Sequence, residues 1–94
     1  MTLMLNPVTD NAALSRFELL EEGQIAFADY SRRGGVYVIP HVETPVSRRG
    51  QGTAGRLMAG LVELVRAEGA KVAPTCPYAA AWFQRHREHI DLVA

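Results

Sequence analysis

The chain has 94 residues, of which 48% are hydrophobic and 21% are charged, and its formal net charge at pH 7 is zero. This balance is typical of a single folded domain with a small core, and it excludes a largely disordered chain and a membrane-spanning protein. The lack of net positive charge argues against nucleic acid as a partner. Because the first residues carry no basic segment of a signal peptide, we expect a cytoplasmic location.

The first half of the chain predicts a loose start followed by three strands. Residues 1–14 are expected to form a loose leader, so that residues 15–94 make a single domain. Runs rich in β-forming residues predict strands over residues 17–21, 24–31 and 36–44, joined by tight glycine turns. Pro40 lies inside the third of these strands, where it predicts a bulge or an edge position that needs no N–H group.

The second half predicts two helices around one further strand. Apolar residues at helical spacing predict a helix from Thr53 to Glu68, ended by Gly69. Residues 71–75 form a short extended segment, and Pro77 opens a second helix that places Cys76 at or beside its N-cap. The order β-β-β-α-β-α predicts an α+β fold. Its first three strands form an antiparallel meander, and its last two strands are parallel because a crossover helix joins them.

A glycine-rich loop between the third strand and the first helix is the most informative feature of the chain. Residues 46–56 read Val-Ser-Arg-Arg-Gly-Gln-Gly-Thr-Ala-Gly-Arg and lead from an apolar strand into the helix. The first N–H groups of a helix lack partners within it and the helix dipole favours negative charge there, so the loop predicts a phosphate or pyrophosphate site. Arg48, Arg49 and Arg56 add positive charge. Arg56, on the first helical turn, opposes the dipole unless an anion offsets it.

Other interpretations of this loop remain open. Many glycine-rich turns bind no ligand, and arginines beside a loop are often solvated surface charge. The loop is not a Walker A motif, since no Gly-Lys-Ser/Thr follows it. Its spacing Gly50-x-Gly52-x-x-Gly55 matches the glycine spacing of the dinucleotide fingerprint, but it follows an antiparallel meander, and no acidic residue closes a second parallel strand.

The run from Arg49 to Ala54 resembles the acyl-CoA loop of the GNAT acetyltransferase superfamily, whose pattern is Arg/Gln-x-x-Gly-x-Gly/Ala. The predicted element order is similar to the core of that fold. A segment Pro-Thr-Cys-Pro-Tyr at residues 74–78, followed by Trp82 and His86, is similar to a very short subfamily of about this length. The resemblance therefore implies a minimal GNAT fold, a mixed sheet with two main helices.

The resemblance also implies an activity, an N-acetyltransferase that moves an acetyl group from acetyl-CoA to an amine without a metal. The chain lacks the usual pair of helices between the first and second strands, so the acceptor would be exposed, on a peptide, a protein or a small amine. The alternative is a non-catalytic module that binds CoA or acyl-CoA. We expect a monomer or weak homodimer. The residues implied to bind CoA are Arg48, Arg49, Gly50, Gln51, Gly52, Thr53, Ala54 and Gly55.

Cys76 is the first candidate for the chemistry, because the resemblance puts the acyl thioester close to it. A helix N-terminus favours the thiolate form, which could act as a base or accept the acyl group itself. The alternative is a small buried residue without chemistry, which is the usual role of a single free cysteine.

His41 and Glu43 are the other candidates. They lie two residues apart on one strand, so their side chains point to the same face, which adjoins the expected cleft. Imidazole is a ready general base near neutral pH, and a neighbouring carboxylate makes it more basic. The alternative is a solvated strand face, which charged pairs often occupy. His86 shares a face with Trp82 and Phe83 and is expected at the edge of the core.

Overall fold

The computed structural model describes residues 6–94. Within these residues the chain forms one mixed five-stranded sheet, in the order β1 to β5, and two main helices. Strands β1 to β4 are antiparallel neighbours, and β4 and β5 are parallel, which fits an α+β fold. The elements are β1 Val8–Asn11, β2 Arg16–Glu21, β3 Gln24–Arg33, β4 Val36–Glu43, α1 Thr53–Glu68, β5 Lys71–Pro74 and α2 Pro77–Arg85, with short 3₁₀ helices at Ala12–Leu14, Val46–Arg48 and Arg87–Leu92.

The expectation of a loose leader over residues 1–14 is wrong for residues 8–14, and residues 1–5 lie outside the described part. Strand β1 pairs antiparallel with β2, with Val8 opposite Leu19, and Val8 is 2% exposed. The observed order is therefore β-β-β-β-α-β-α, with one strand before the three that were predicted. The sequence Val-Thr-Asp-Asn has a single apolar residue, so this strand depends on packing against the rest of the fold rather than on its own propensity.

The hydrophobic core lies on one face of the sheet, beneath the two helices. Buried residues alternate with exposed ones along the strands, as on a sheet with one solvated face. Leu19 and Ala26 are buried, whereas their neighbours Leu20 and Ile25 are exposed on the opposite face. Helix α1 supplies the largest helical share of the core, through Leu57, Met58, Gly60, Leu61, Val62 and Val65.

A bulge in β4 decides which side chains face the core. Asp29 pairs with His41 and Ser31 pairs with Val38, so β4 contributes one more residue than β3 in this interval. The extra residue falls at Ile39-Pro40, which confirms the bulge predicted from Pro40. Since side chains alternate along a strand, one inserted residue moves every later side chain to the other face. Ile39 is fully buried, and His41 two residues later is exposed.

Strands β4 and β5 part in the middle of β4. Their pairing ends where Ile39 lies beside Pro74, while β4 runs on to Glu43. The chain leaves β5 through Thr75 and Cys76. The Cys76 N–H donates a 2.9 Å hydrogen bond to the Ile39 carbonyl oxygen. The last part of β4 therefore has no β5 residue beside it, and a gap opens next to the start of α2.

Candidate active site

The glycine loop presents its backbone N–H groups to solvent. Gly50 and Gly52 have φ of +78° and +80°, a left-handed conformation that side chains rarely adopt. Gly52 is the N-cap of α1 and has no side chain to cap the helix. The Arg56 N–H makes the first helical bond, to the Gly52 carbonyl oxygen at 3.0 Å. Within the described residues, the N–H groups of residues 50–55 make no short, well-aligned hydrogen bond to a protein oxygen, although residues 49–52 form turns. These donors are available to an anion.

Two adjoining clefts connect this loop to β4. The first, of about 260 Å³, lies over the loop and is bounded by Thr44 and Tyr78. The second, of about 290 Å³, shares Thr44, Arg49, Ala54 and Tyr78 with the first and adds His41, Val42 and Glu43. The expected anion loop and the expected base therefore line one continuous surface. It follows the unpaired end of β4, and no residue of β5 lines either cleft.

His41 and Glu43 lie side by side on the solvated face of β4. The His41 Nε2 atom is 3.2 Å from the Glu43 Oε1 atom, and both side chains are about half exposed (51% and 53%). The ring of Phe27 on β3 stands 6.1 Å from the imidazole, centre to centre. The pair shares one face as predicted, because both residues lie beyond the bulge. The carboxylate can hold the imidazole in one orientation.

The arginines of the loop differ in their surroundings. Arg48 and Arg56 both bind Glu21 at the end of β2, with Nη2–Oε1 and Nε–Oε2 distances of 2.9 and 2.7 Å. Hydrogen bonds from Arg56, Arg48 and Thr53 lower the pKa of Glu21 to about 2. The charge of Arg56 against the helix dipole is thus offset by Glu21 and gives no indication of a ligand. Arg49 lines both clefts and, among the described residues, makes no ion pair.

Cys76 occupies the N-cap position of α2, as predicted, and makes no side-chain capping bond. Its side chain is 7% exposed and packs in the hydrophobic core. The residues that line the two clefts do not include it. Its backbone nevertheless lies at the point where β4 and β5 part, next to Ile39.

Tyr78 lines both clefts, a position that its place in the Pro-Thr-Cys-Pro-Tyr segment does not predict. It lies on the first turn of α2 and is half-buried. Burial raises the pKa of its hydroxyl above the usual 10.0, so the group keeps its proton at neutral pH. The one feature of the sequence that could have indicated a role for Tyr78 is its position two residues after Cys76.

A third and larger groove, of about 510 Å³, runs from the loop along α1 and α2. It is bordered by Arg56 and Arg85 and by the ring of Trp82, which His86 and His89 flank in stacked arrangements at 4.2 and 5.6 Å. The His86 ring also lies 2.9 Å from the Trp82 carbonyl oxygen through its Nδ1 atom. His86 therefore sits at the edge of the core, as its spacing predicted.

Residues 6–94 contain no group of three or more His, Cys, Asp and Glu side chains that could hold a metal ion. In the same part of the chain, no helix has the length and apolar character needed to cross a membrane.

The chain matches a known protein family. A family model described as GCN5-related N-acetyl-transferase matches residues 16–92, which run from β2 to the end of the last 3₁₀ helix. A search of curated proteins finds no significant match. The matched region contains the loop, both clefts and every candidate catalytic residue. Strand β1 precedes it.

Proposed function

The chain belongs to the GCN5-related N-acetyltransferase family, and on this premise we propose that it transfers an acetyl group from acetyl-CoA to an amine. The observation that carries the proposal is the set of unpaired N–H groups at residues 50–55. A pyrophosphate is the part of CoA that such a set of donors suits, because its oxygens accept several hydrogen bonds and its charge suits a helix N-terminus.

The rest of CoA fits the surface next to the loop. Arg49 is the cation available to the pyrophosphate, since Arg48 and Arg56 are engaged by Glu21. The pantetheine arm would follow the unpaired end of β4, towards the point where Cys76 meets Ile39. The thioester would then lie where the two clefts adjoin, beside Thr44 and Tyr78.

The reaction needs a proton acceptor and a proton donor. The amine nitrogen attacks the thioester carbonyl carbon, and the carbon–sulfur bond then breaks. In our proposal His41, oriented by Glu43, takes the proton that the amine loses, and the Tyr78 hydroxyl gives a proton to the departing thiolate sulfur. Cys76 would take part in proton transfer only if the acyl group reached its thiol, which is buried in the core and lines neither cleft.

The acceptor side of the site is open. His41 and Glu43 lie on the sheet face opposite the helices, and no helix of the described chain covers that face. An amine on a peptide, a protein or a small molecule could approach there. The competing proposal is a module that binds acetyl-CoA without turning it over, and it needs the same loop but neither His41 nor Cys76.

Ligand binding is tested by thermal unfolding with CoA and acetyl-CoA. Ligand at a hundred times its Kd should stabilise the protein by about 2.7 kcal/mol, which is a readily visible rise in Tm for so small a domain. Gly52→Ala should reduce the rise, because a side chain at φ +80° is strained and its Cβ would lie 3.0 Å from the Arg56 Nη1 atom. The control is Gly34→Ala, another glycine of positive φ with open space around it, away from the loop.

Turnover separates the two proposals. Release of the free CoA thiol in the presence of a panel of amines or a cell extract supports the transferase. A rise in Tm with both compounds and no thiol release from any of these mixtures supports the binding module. No rise in Tm with either compound would contradict both.

A further inference from the structure

One carboxylate ties the start of α1 to the end of β2. Glu21 Oε1 accepts hydrogen bonds at 2.9 Å from Arg48 Nη2, Thr53 Oγ1 and Arg56 Nη2. Its Oε2 accepts another from Arg56 Nε at 2.7 Å. Three side chains from two segments thus converge on a single group, whose own side chain is 18% exposed.

These contacts hold both ends of the anion loop. Arg48 ends the 3₁₀ helix that precedes the loop, and Thr53 is the first residue of α1. Thr53 is polar but only 2% exposed. Because its hydroxyl is turned to Glu21, it does not fold back over the helix N-terminus. The glycines between the two ends supply no side chain that could fix the loop.

We infer that Glu21 is a positioning residue for acetyl-CoA, which aims the N–H groups of residues 50–55 by anchoring Arg48 on one side of the loop and Thr53 on the other. The inference rests on the proposed function. A loop with two left-handed glycines has many conformations available, and ordering it during binding would reduce affinity. A carboxylate that orders it beforehand lowers that cost.

A purely electrostatic role would have the opposite effect. Glu21 is an anion close to the expected pyrophosphate, so its charge alone opposes binding, and removing it would free two arginines for the ligand. The sign of the change in affinity therefore distinguishes positioning from simple charge balance.

The experiment measures the Kd of CoA by calorimetry, well below the Tm of each variant, for Glu21→Ala and Glu21→Gln. The matched controls are Glu18→Ala and Glu18→Gln. Glu18 lies on the same strand, is 16% exposed and also pairs with an arginine, Arg16, at 2.6 Å, away from the loop. We expect Glu21→Ala to raise the Kd about tenfold or more, as misplacement of binding groups does. Glu21→Gln, whose amide oxygen can still accept from Thr53, should fall between it and the wild type, and the controls should match the wild type.

Kinetics give a second measurement, in which Glu21→Ala should raise the KM for acetyl-CoA far more than it lowers kcat. An unchanged or lower Kd in folded Glu21→Ala would overturn this role while leaving the proposed function intact. If Glu21→Ala does not fold, an unchanged or lower Kd in Glu21→Gln has the same meaning. Absence of CoA binding by the wild-type protein would overturn the proposed function, and this role with it.

Discussion

Val8 of β1 packs directly on Gly60 of α1. A methyl group at residue 60 would overlap the Val8 Cγ2 atom and lie 2.6 Å from its Cβ. The Asn6 side-chain amide donates a 2.8 Å hydrogen bond to the Gly60 carbonyl oxygen at the same place. A glycine in the middle of a helix is normally unfavourable, so this one is explained by the close approach of the strand.

Gly60→Ala should therefore destabilise the protein. Alanine is favoured in a helix by about 1 kcal/mol over glycine, but overlap with Val8 forces β1 away from the core at a cost of about 1–3 kcal/mol. We expect a lower free energy of unfolding in urea. Gly55→Ala is the control, because it lies on the same helix with nothing within 4 Å of its Cβ position, and it should be neutral or stabilising. Equal stability of the two variants would contradict the packing.

Helix α1 illustrates what the sequence can predict. The helix runs from Thr53 to Glu68 as its apolar spacing indicated, and Gly69 ends it in a left-handed conformation. Local signals of this kind are complete within a few residues. The sequence did not predict strand β1. Val8 belongs to the core because it packs on Gly60, which lies 52 residues later in the chain. No local sequence pattern indicates that contact.

Glu21 should make stability fall at acid pH. Its pKa in the folded protein is about 2, below the usual 4.5, so the ionised form stabilises the fold. This contribution is complete above about pH 4.5 and is lost as the pH falls towards 2. We expect the Tm of the wild type to drop over this range. The drop should be smaller in Glu21→Gln, which has no proton to take up, and a drop of the same size would show that other carboxylates dominate.

The backbone geometry of the candidate site was predictable where it depends on local sequence, whereas the roles of its residues remain predictions. Unpaired N–H groups at residues 50–55 follow from a glycine N-cap, and Pro77 places Cys76 at the start of α2. The ion pair between Glu21 and Arg56 joins residues that are 35 positions apart. Sequence spacing alone does not predict this contact. Tyr78 was likewise not assigned a role, because its place in the clefts depends on how α2 packs against β4.

His41→Gln should lower kcat with little change in the Kd of CoA. A general base contributes about 10²–10⁴-fold to a rate, and His41 does not line the first cleft, which lies over the loop. Glu43→Gln should have a smaller effect in the same direction, since it weakens the 3.2 Å contact that orients the ring. The control is His89→Gln, whose imidazole stacks on Trp82 outside this cleft. Unchanged turnover by His41→Gln would assign the base to another residue.

Cys76→Ala tests whether the remaining candidate takes part in the chemistry. If the thiol takes part in the reaction, Cys76→Ala should lose most of its turnover and still bind CoA as the wild type does. Cys76→Ser should recover part of the lost turnover. Because Cys76 packs in the core, both substitutions should lower stability. The free energy of unfolding of each variant is therefore measured beside its turnover, so that lost activity is separated from unfolding. Mass spectrometry after incubation with acetyl-CoA then separates two roles. An acetyl adduct on Cys76 identifies an acyl carrier, whereas an unmodified thiol with lost turnover in Cys76→Ala identifies a group that moves protons. Full turnover by Cys76→Ala would leave the cysteine a packing residue and His41 as the base.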